Sequence, residues 1–553
     1  MSQQRSLSAA QVLVEKFIAY GIEYIFFVPG ASIDPILDVL HDKAQPKLIL
    51  CHHESTAGYM AAAYGKITGR PAVVMATAGP GATNLTSAIA TAESEEAPMI
   101  AISGQMSSRT SFKPTHQVID AAAMFRPISK WSHEVSNVET LASVWDLAYQ
   151  QAVSAPGGVV HLAIASDVLA KPVVGDVDFG YNPHMAVSYA GEQDLCAAAV
   201  MISEAKAPLI IVGGGAANDT VAEELQNFLS ASNIPVVCTF EGAGMVTREH
   251  QQLFMGRLGV FQNQPCNHLI RQADVIICLG YNIAELDPIL WNKGTPKLVH
   301  IHQVAPIVDD GYRPDLQLIG DIQHSLQQLA KIITPLAQSP DYVAARQQVR
   351  RQLDLRLNSY NASGNGVHPL QIIAGLEQVL SDENTVTCDV GSHQYWMSEY
   401  YFSYRPRYFL SSMGFQTMGV SLPFAIAAAL VRKEHKVVSV SGDGSFLMCM
   451  MELATAVKLD LPIIHLVWKD RSFNLVQIQE EKKYQRSTGA IFESDIDFAK
   501  LAESFGATGM RVKTVAELLP ALNTAMTCRG VVVIEISVDY SDNASLVRNS
   551  DLD

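Results

Sequence analysis

The stretch K-V-V-S-V-S-G-D-G-S-F (436–446) limits the fold of this chain more than any other. A run of apolar, β-branched residues reads as a strand buried on both faces, and such strands belong to parallel sheets covered by helices. The glycines end the strand in a turn, and the residues after them open a helix. The pattern recurs along the chain. Y-I-F-F-V is followed by I-D-P-I-L-D-V-L, A-V-V-M-A-T by N-L-T-S-A-I-A-T-A, and L-I-I-V-G-G-G by V-A-E-E-L-Q-N-F-L. This alternation predicts an α/β protein built of doubly wound parallel sheets.

A chain of 553 residues is too long for one hydrophobic core. Composition shifts supply the seams: Lys171–Gln193 is rich in turn residues, and the charged helical stretch from Ser339 ends in N-A-S-G-N-G-V-H-P. Three domains are expected, over 1–175, 190–345 and 365–553. Hydrophobic residues at 48% against 17% charged fit an ordered protein. A formal net charge of -16 argues against nucleic acid or anionic membrane as a partner, because both need a basic face. No apolar run approaches the roughly 20 residues that span a bilayer, and M-S-Q-Q-R-S-L-S has no apolar signal core. A cytoplasmic protein is expected. Its eight cysteines include no C-x-x-C pair and read as reduced core residues.

Two stretches end in the same way. A-V-V-M-A-T-A-G-P-G-A-T-N (72–84) and K-V-V-S-V-S-G-D-G-S-F are both buried strands that close in Gly-x-Gly and open a helix. Ligands of doubly wound sheets bind beyond the carboxyl ends of the strands, so the two places could take opposite ends of one molecule. The middle cluster V-G-G-G-A-A (212–217) lacks the G-x-G-x-x-G spacing and is only a weak nucleotide signal. Asp443, flanked by Gly442 and Gly444, offers a hard oxygen where a phosphorylated ligand can approach the backbone, which suggests magnesium with a phosphate. Read alone, Asp443 could equally cap a helix. Beyond it, F-L-M-C-M-M-E-L-A-T-A-V-K-L-D reads as an amphipathic helix and L-P-I-I-H-L-V-W as a strand. Asp470, just past that strand, follows 27 residues after Asp443, a crossover that returns it to the same sheet edge.

With S-G-D-G-S-F…E-L-A-T-A-V…W-K-D…Q-E-E-K-K-Y-Q-R the chain resembles the thiamine-diphosphate enzymes, and among them the catabolic, FAD-independent acetolactate synthases. Further matching stretches are P-G-A-S-I-D (29–34), the H-E at Glu54, G-P-G-A-T-N (79–84), T-H-Q at Gln117, G-R-L-G-V-F-Q-N-Q-P (256–265), D-V-G-S-H (389–393), Q-T-M-G-V-S-L-P (416–423) and A-E-S-F-G-A (502–507). The resemblance implies a pyrimidine-binding, a central and a diphosphate-binding domain. It implies that Asp443, Asp470 and the main-chain oxygen of Ser472 hold Mg2+. Gly391, Ser392, His393, Gly442, Gly444, Ser445, Phe473 and Asn474 would then line the diphosphate. Glu54 would hydrogen-bond the cofactor's aminopyrimidine, beside Gly79, Gly81 and Asn84, and favour the tautomer that removes a proton from the thiazolium ring. Read locally, Glu54 could instead be a first-turn glutamate favoured by the helix dipole. Met418 would hold the cofactor bent, and core packing is its other reading. Phe27, Val28 and Gln117 would face the substrate, though Gln117 alone could be an exposed loop residue. Pyruvate would be decarboxylated and its two-carbon unit joined to a second pyruvate. FAD is not expected. A homodimer or homotetramer is implied, with each site built between two subunits.

Three positions depart from the family pattern. Ser32 stands where a lysine near the site entrance is usual, Phe27 where glycine is common, and His302 in place of an aspartate. Neighbouring readings are a FAD-containing acetohydroxyacid synthase, a pyruvate oxidase, a simple 2-oxoacid decarboxylase, and a paralogue that binds cofactor without catalysis.

Overall fold

A computed structural model describes residues 7–180, 185–259, 264–294, 296–333, 336–356, 364–543 and 546. Val260–Asn263 of the 256–265 stretch, and 357–363 of the charged stretch before the last third, lie outside the described residues. Among the described residues, eighteen strands form three six-stranded sheets, and every strand pairing within them is parallel.

The first sheet runs β2-β1-β3-β4-β6-β5, from β1 (Tyr24–Phe27), β2 (Lys47–Leu50), β3 (Ala72–Ala76), β4 (Met99–Gln105), β5 (Trp131–Val135) and β6 (Val159–Ala165). The second comprises β7 (Pro208–Val212), β8 (Val236–Cys238), β9 (Phe254–Arg257), β10 (Val275–Leu279), β11 (Lys297–His302) and β12 (Leu316–Ile319), in the order β12-β11-β10-β7-β8-β9. That is the strand order of dinucleotide-binding sheets. The third contains β13 (Thr385–Cys388), β14 (Phe409–Leu410), β15 (Val437–Gly442), β16 (Ile463–Lys469), β17 (Thr508–Val512) and β18 (Val532–Ser537). Its order, β14-β13-β15-β16-β18-β17, repeats that of the first sheet. In both, the direction of winding reverses between the first strand and the third, and such reversals open a crevice for ligands.

The strands are buried as parallel strands must be: every residue of β3, β4 and β6 is inside. Of the eight cysteines six are buried, and none forms a disulfide.

The chain forms two compact units. One joins Met1–Ala186 to Phe415–Lys433 and Cys449–Leu461; the other comprises Val187–Gly414, Glu434–Met448 and Pro462–Asp553. Within the first unit, the helix Glu54–Thr68 packs on the apolar helix Ser421–Val431. Small residues bring its other neighbours close. A Cβ on Gly58 would stand 2.4 Å from that of Ala88, and one on Gly65 would stand 2.3 Å from the carbonyl oxygen of Pro98. Tyr24 adds a hydrogen bond of 3.1 Å to the Leu430 carbonyl. The single amphipathic helix expected over 446–460 is replaced by short pieces, Asp443–Phe446, Met450–Glu452 and Leu453–Lys458. The break falls where the chain passes from one unit to the other.

Candidate active site

The residues singled out in the sequence gather in two constellations, one at the carboxyl ends of the first sheet and one at those of the third.

In the third sheet, Gly442 of β15 pairs with Trp468 of β16, so Asp443 and Asp470 emerge side by side at one edge. Asp443 is 2% exposed. Its Oδ1 accepts from the Gly444 amide at 2.8 Å, and its Oδ2 from the Arg471 amide at 2.7 Å. Burial, and after it the charge of Asp470, push the Asp443 carboxyl up to about 7. Asp470 is raised as well, chiefly by burial, although Ser472 and Asn474 both donate to its Oδ2 at 2.7 Å. Two adjacent acids held above the ordinary carboxylate range are what a bound cation relieves. Among the described residues no group of three or more His, Cys, Asp or Glu side chains could hold a metal. A cation here would rest on two carboxylates and on main-chain, water and ligand oxygens, as magnesium commonly does.

Asn474 links this pair to the turn after β13, because Ser392 Oγ donates to Asn474 Oδ1 at 2.8 Å. His393 follows, 4% exposed, with its Nε2 buried and unpartnered. Burial holds this imidazole down to about 3, hence neutral. An orphaned buried nitrogen beside the two glycine turns fits a ligand with oxygens to offer. Ser445 Oγ donates to the Gly442 carbonyl at 3.2 Å, and Gly391 has a φ of +150°, at the border of the region that side chains avoid.

The space beside Gly442 and Gly444 also borders rings of the chain itself. A Cβ on Gly442 would lie 3.2 Å from His393 Cε1, and one on Gly444 would lie 2.5 Å from Phe473 Cε1 and 3.0 Å from Phe492 Cζ.

In the first sheet, Glu54 is the opening residue of its helix and 8% exposed. Asn84 Nδ2 donates to Glu54 Oε2 at 2.9 Å, and a Cβ on Gly81 would stand 3.2 Å from Oε1, so that glycine leaves the carboxylate its place. Gly79 has φ +64° and lies under Gln117, whose own φ is +59°; a Cβ there would meet Gln117 Cα at 3.0 Å. Phe27 closes β1, and the Val28 amide donates to the Met75 carbonyl at 3.3 Å. Met418 shares this unit. It is 37% exposed in a turn between Gln416 (φ +52°) and Gly419 (φ +83°), so core packing does not account for it. A contact of 2.7 Å between the Thr417 and Thr91 hydroxyls fastens that turn.

Ser32 is buried, its hydroxyl 2.9 Å from Thr77 Oγ1 and accepting from the Ala78 amide at 2.9 Å. A serine here holds the turn after β3 and does not present itself at an open entrance. His302 is buried at the end of β11 and stacked on His300, and burial holds it down to about 4. It faces the central glycine turn: a Cβ on Gly215 would be 2.6 Å from His302 Nε2. The amide of Gly214 in that turn donates to Glu285 Oε1 at 2.9 Å, and Thr239 donates to Oε2 at 2.5 Å.

Other residues of the site escape sequence reading. Asn543 Nδ2 donates to Asn474 Oδ1 at 2.5 Å and Trp396 Nε1 donates to Asn543 Oδ1 at 2.5 Å, so the end of the chain steadies the acid pair. Tyr540 feels both Asp470 and Asp443 and is raised well above its usual value, mainly by burial. Nothing local in V-D-Y-S-D-N-A marks them. Glu452 stands out locally only as an acid in a largely apolar run, which does not name its partners.

Comparisons with known proteins agree along the whole chain. Residues 7–124 match the N-terminal TPP binding domain of thiamine pyrophosphate enzymes, 195–329 their central domain and 389–536 their C-terminal TPP binding domain. The chain is 38% identical to the acetolactate synthase of Bacillus subtilis (strain 168), over 99% of its own length and 96% of that protein. It is 39% identical to the catabolic acetolactate synthase of Raoultella terrigena, over 97% and 96%. It is 29% identical to the acetolactate synthase isozyme 3 large subunit of Escherichia coli (strain K12), over 97% and 96%. Three family domains in order, with full-length identity of this degree, mean that the chain belongs to the acetolactate synthases among the thiamine pyrophosphate enzymes.

Proposed function

We propose that this protein converts two pyruvate anions and one proton to 2-acetolactate and carbon dioxide, as a catabolic acetolactate synthase. The observation that carries this reading is the buried Asp443 beside the half-buried Asp470, in a chain that matches acetolactate synthases from end to end. Thiamine diphosphate, when bound, supplies a nucleophilic carbon and a ring that accepts the electrons left by departing carbon dioxide. Asp443, Asp470 and the main-chain oxygen of Ser472 hold Mg2+ against the diphosphate. Gly391, Ser392, His393, Gly442, Gly444, Ser445, Phe473 and Asn474 line that end, with the backbone of the two glycine turns as its floor. Glu54 meets the pyrimidine ring and holds a proton there, kept in position by Asn84 and given space by Gly79 and Gly81. Met418, exposed and so available to a ligand, would support the cofactor where its two rings meet. Phe27, Val28 and Gln117 surround the substrate.

The proposed domains are 1–175 for the pyrimidine, 190–345 in the centre and 365–553 for the diphosphate. The proposal includes a homodimer or homotetramer, with each active site built between subunits. No described helix is long and apolar enough to cross a membrane, and we place the protein in the cytoplasm. FAD has no part in the proposal.

The test is product analysis. Purified protein with thiamine diphosphate, Mg2+ and pyruvate should release carbon dioxide and acetolactate in equal amounts. Acetaldehyde as the main product would make it a decarboxylase, a flavin spectrum would move it to the FAD-containing enzymes, and no carbon dioxide at all would leave a non-catalytic paralogue. Adding 2-oxobutyrate would show which acceptor is preferred.

A further inference from the structure

The helix that carries Glu54 is held at its start by a carboxylate from far along the chain. Glu452 is wholly buried. Its Oε1 accepts three hydrogen bonds, from the His52 amide at 2.9 Å, the His53 amide at 3.2 Å and Thr56 Oγ1 at 2.5 Å. Its Oε2 accepts from Thr455 Oγ1 at 2.6 Å, and Thr455 Oγ1 also lies 3.1 Å from the Leu50 carbonyl, where β2 ends. One side chain thus holds the backbone just before Glu54 and the Thr56 hydroxyl just after it.

The local chemistry shows why a carboxylate suits the place. The amides of His52 and His53 precede the helix, beyond the reach of its own carbonyls, and need an acceptor from elsewhere. A negative charge at the start of a long helix is favoured by its dipole. His53 caps the helix with its ring, Nδ1 accepting from the Ser55 amide at 3.2 Å, and Glu452 in turn holds His53. Glu54 itself has one side-chain anchor, Asn84 on Oε2. Its direction therefore depends on the backbone of residues 52–56.

We propose that Glu452 is a positioning residue for the reaction: it sets the direction in which Glu54 leaves the end of β2, and so how that carboxyl meets the cofactor's pyrimidine ring. The inference rests on the role given to Glu54 above. A misplacement on the order of 1 Å in such a group can cost about 100-fold in rate.

Two variants and a control test it. Glu452→Asp draws the carboxylate back by roughly 1.5 Å, so it cannot reach His52 and Thr455 together. Glu452→Gln keeps the length and an acceptor, and its amide can donate to Thr455 Oγ1 while that hydroxyl turns to Leu50. For Glu452→Asp, carbon dioxide release per cofactor-loaded site should fall on the order of 100-fold while the cofactor Kd changes less than about threefold. In the cofactor-free protein, hydrogen exchange read by mass spectrometry should show the His52 and His53 amides opening about tenfold faster. Glu452→Gln should stay within about fivefold of the unmodified protein in both readouts. If Glu452→Asp melts earlier but keeps its turnover per loaded site, Glu452 supports only the fold and the proposal fails. Glu54→Gln is measured beside it: turnover retained there removes the role of Glu54 and the proposal together, whereas an inactive Glu54→Gln with a normal Glu452→Asp removes the proposal alone.

Discussion

Replacing Gly444 by alanine separates two explanations of the glycine beside Asp443. If the missing side chain gives a ligand room, an added methyl should weaken cofactor binding and leave the free protein alone. The geometry points elsewhere. The new Cβ would stand 2.5 Å from Phe473 Cε1 and 3.0 Å from Phe492 Cζ. An ordinary carbon contact is about 3.5–4.0 Å, so the Phe473 ring must retreat by about 1 Å. It cannot do so freely, because Phe492 stands edge-on against it with ring centroids 4.9 Å apart. Overpacking of this kind costs about 1–3 kcal/mol. The strain also falls next to Ser472 and Asn474, which donate to Asp470. Chemical denaturation of the cofactor-free protein should therefore show a loss of about 1–3 kcal/mol for Gly444→Ala, and calorimetry should show weaker Mg2+-dependent cofactor binding. Adding Phe473→Leu should recover part of the stability, with a coupling of about 0.5–3 kcal/mol between the two changes. A cofactor-free Gly444→Ala protein as stable as the original, with no coupling to Phe473, would refute the steric argument.

Asp443→Ala should abolish Mg2+-dependent binding of thiamine diphosphate while far-ultraviolet circular dichroism shows an intact fold; unchanged affinity by calorimetry would remove the metal assignment. Acid should weaken the protein through two buried imidazoles, His161 between Ser103 and Ser132 and His465 between Ser439 and Ser441, which burial holds down to about 3. Above pH ~6.5 both are neutral whether folded or unfolded, and below it only the unfolded chain takes up their protons, so each should cost about 2 kcal/mol between pH 7 and pH 5. Denaturation midpoints that stay level over that range in the unmodified protein, or a His161→Gln variant with an equally steep acid loss, would contradict this.

Strands were legible wherever the chain wrote an unbroken apolar run, because burial on both faces leaves no polar position to confuse the period. The neighbourhood of Asp443 and Asp470 was legible for a related reason: in a parallel sheet a strand, a helix and a strand return the chain to one edge. The central sheet was less so. Its glycines lack the dinucleotide spacing, yet its strand order is that of a dinucleotide-binding sheet, and what fills the turn is Glu285, an acid brought there by the loop that follows β10. Distance along the chain hid the rest. Asn543, Tyr540 and Glu452 act on residues some 70 to 400 positions away, and no local periodicity reports such pairs. What Ser32 does in place of a lysine was not legible either: its short hydroxyl folds back onto Thr77 and Ala78, both more than 40 residues on.

The first compact unit is discontinuous, and a ribosome makes proteins in one direction. The first sheet is complete once Ala165 has emerged, but the helix Ser421–Val431 and the segment that carries Glu452 follow roughly 250 residues later. At ordinary elongation rates that gap lasts about 10 to 50 s. Until it closes, the apolar face of the Glu54 helix lacks its partner, and the loop ahead of Glu54 lacks the carboxylate that holds it. The nascent first third is thus a sticky intermediate that must be shielded, and cutting the gene at the end of the first sheet would yield a domain without its lid.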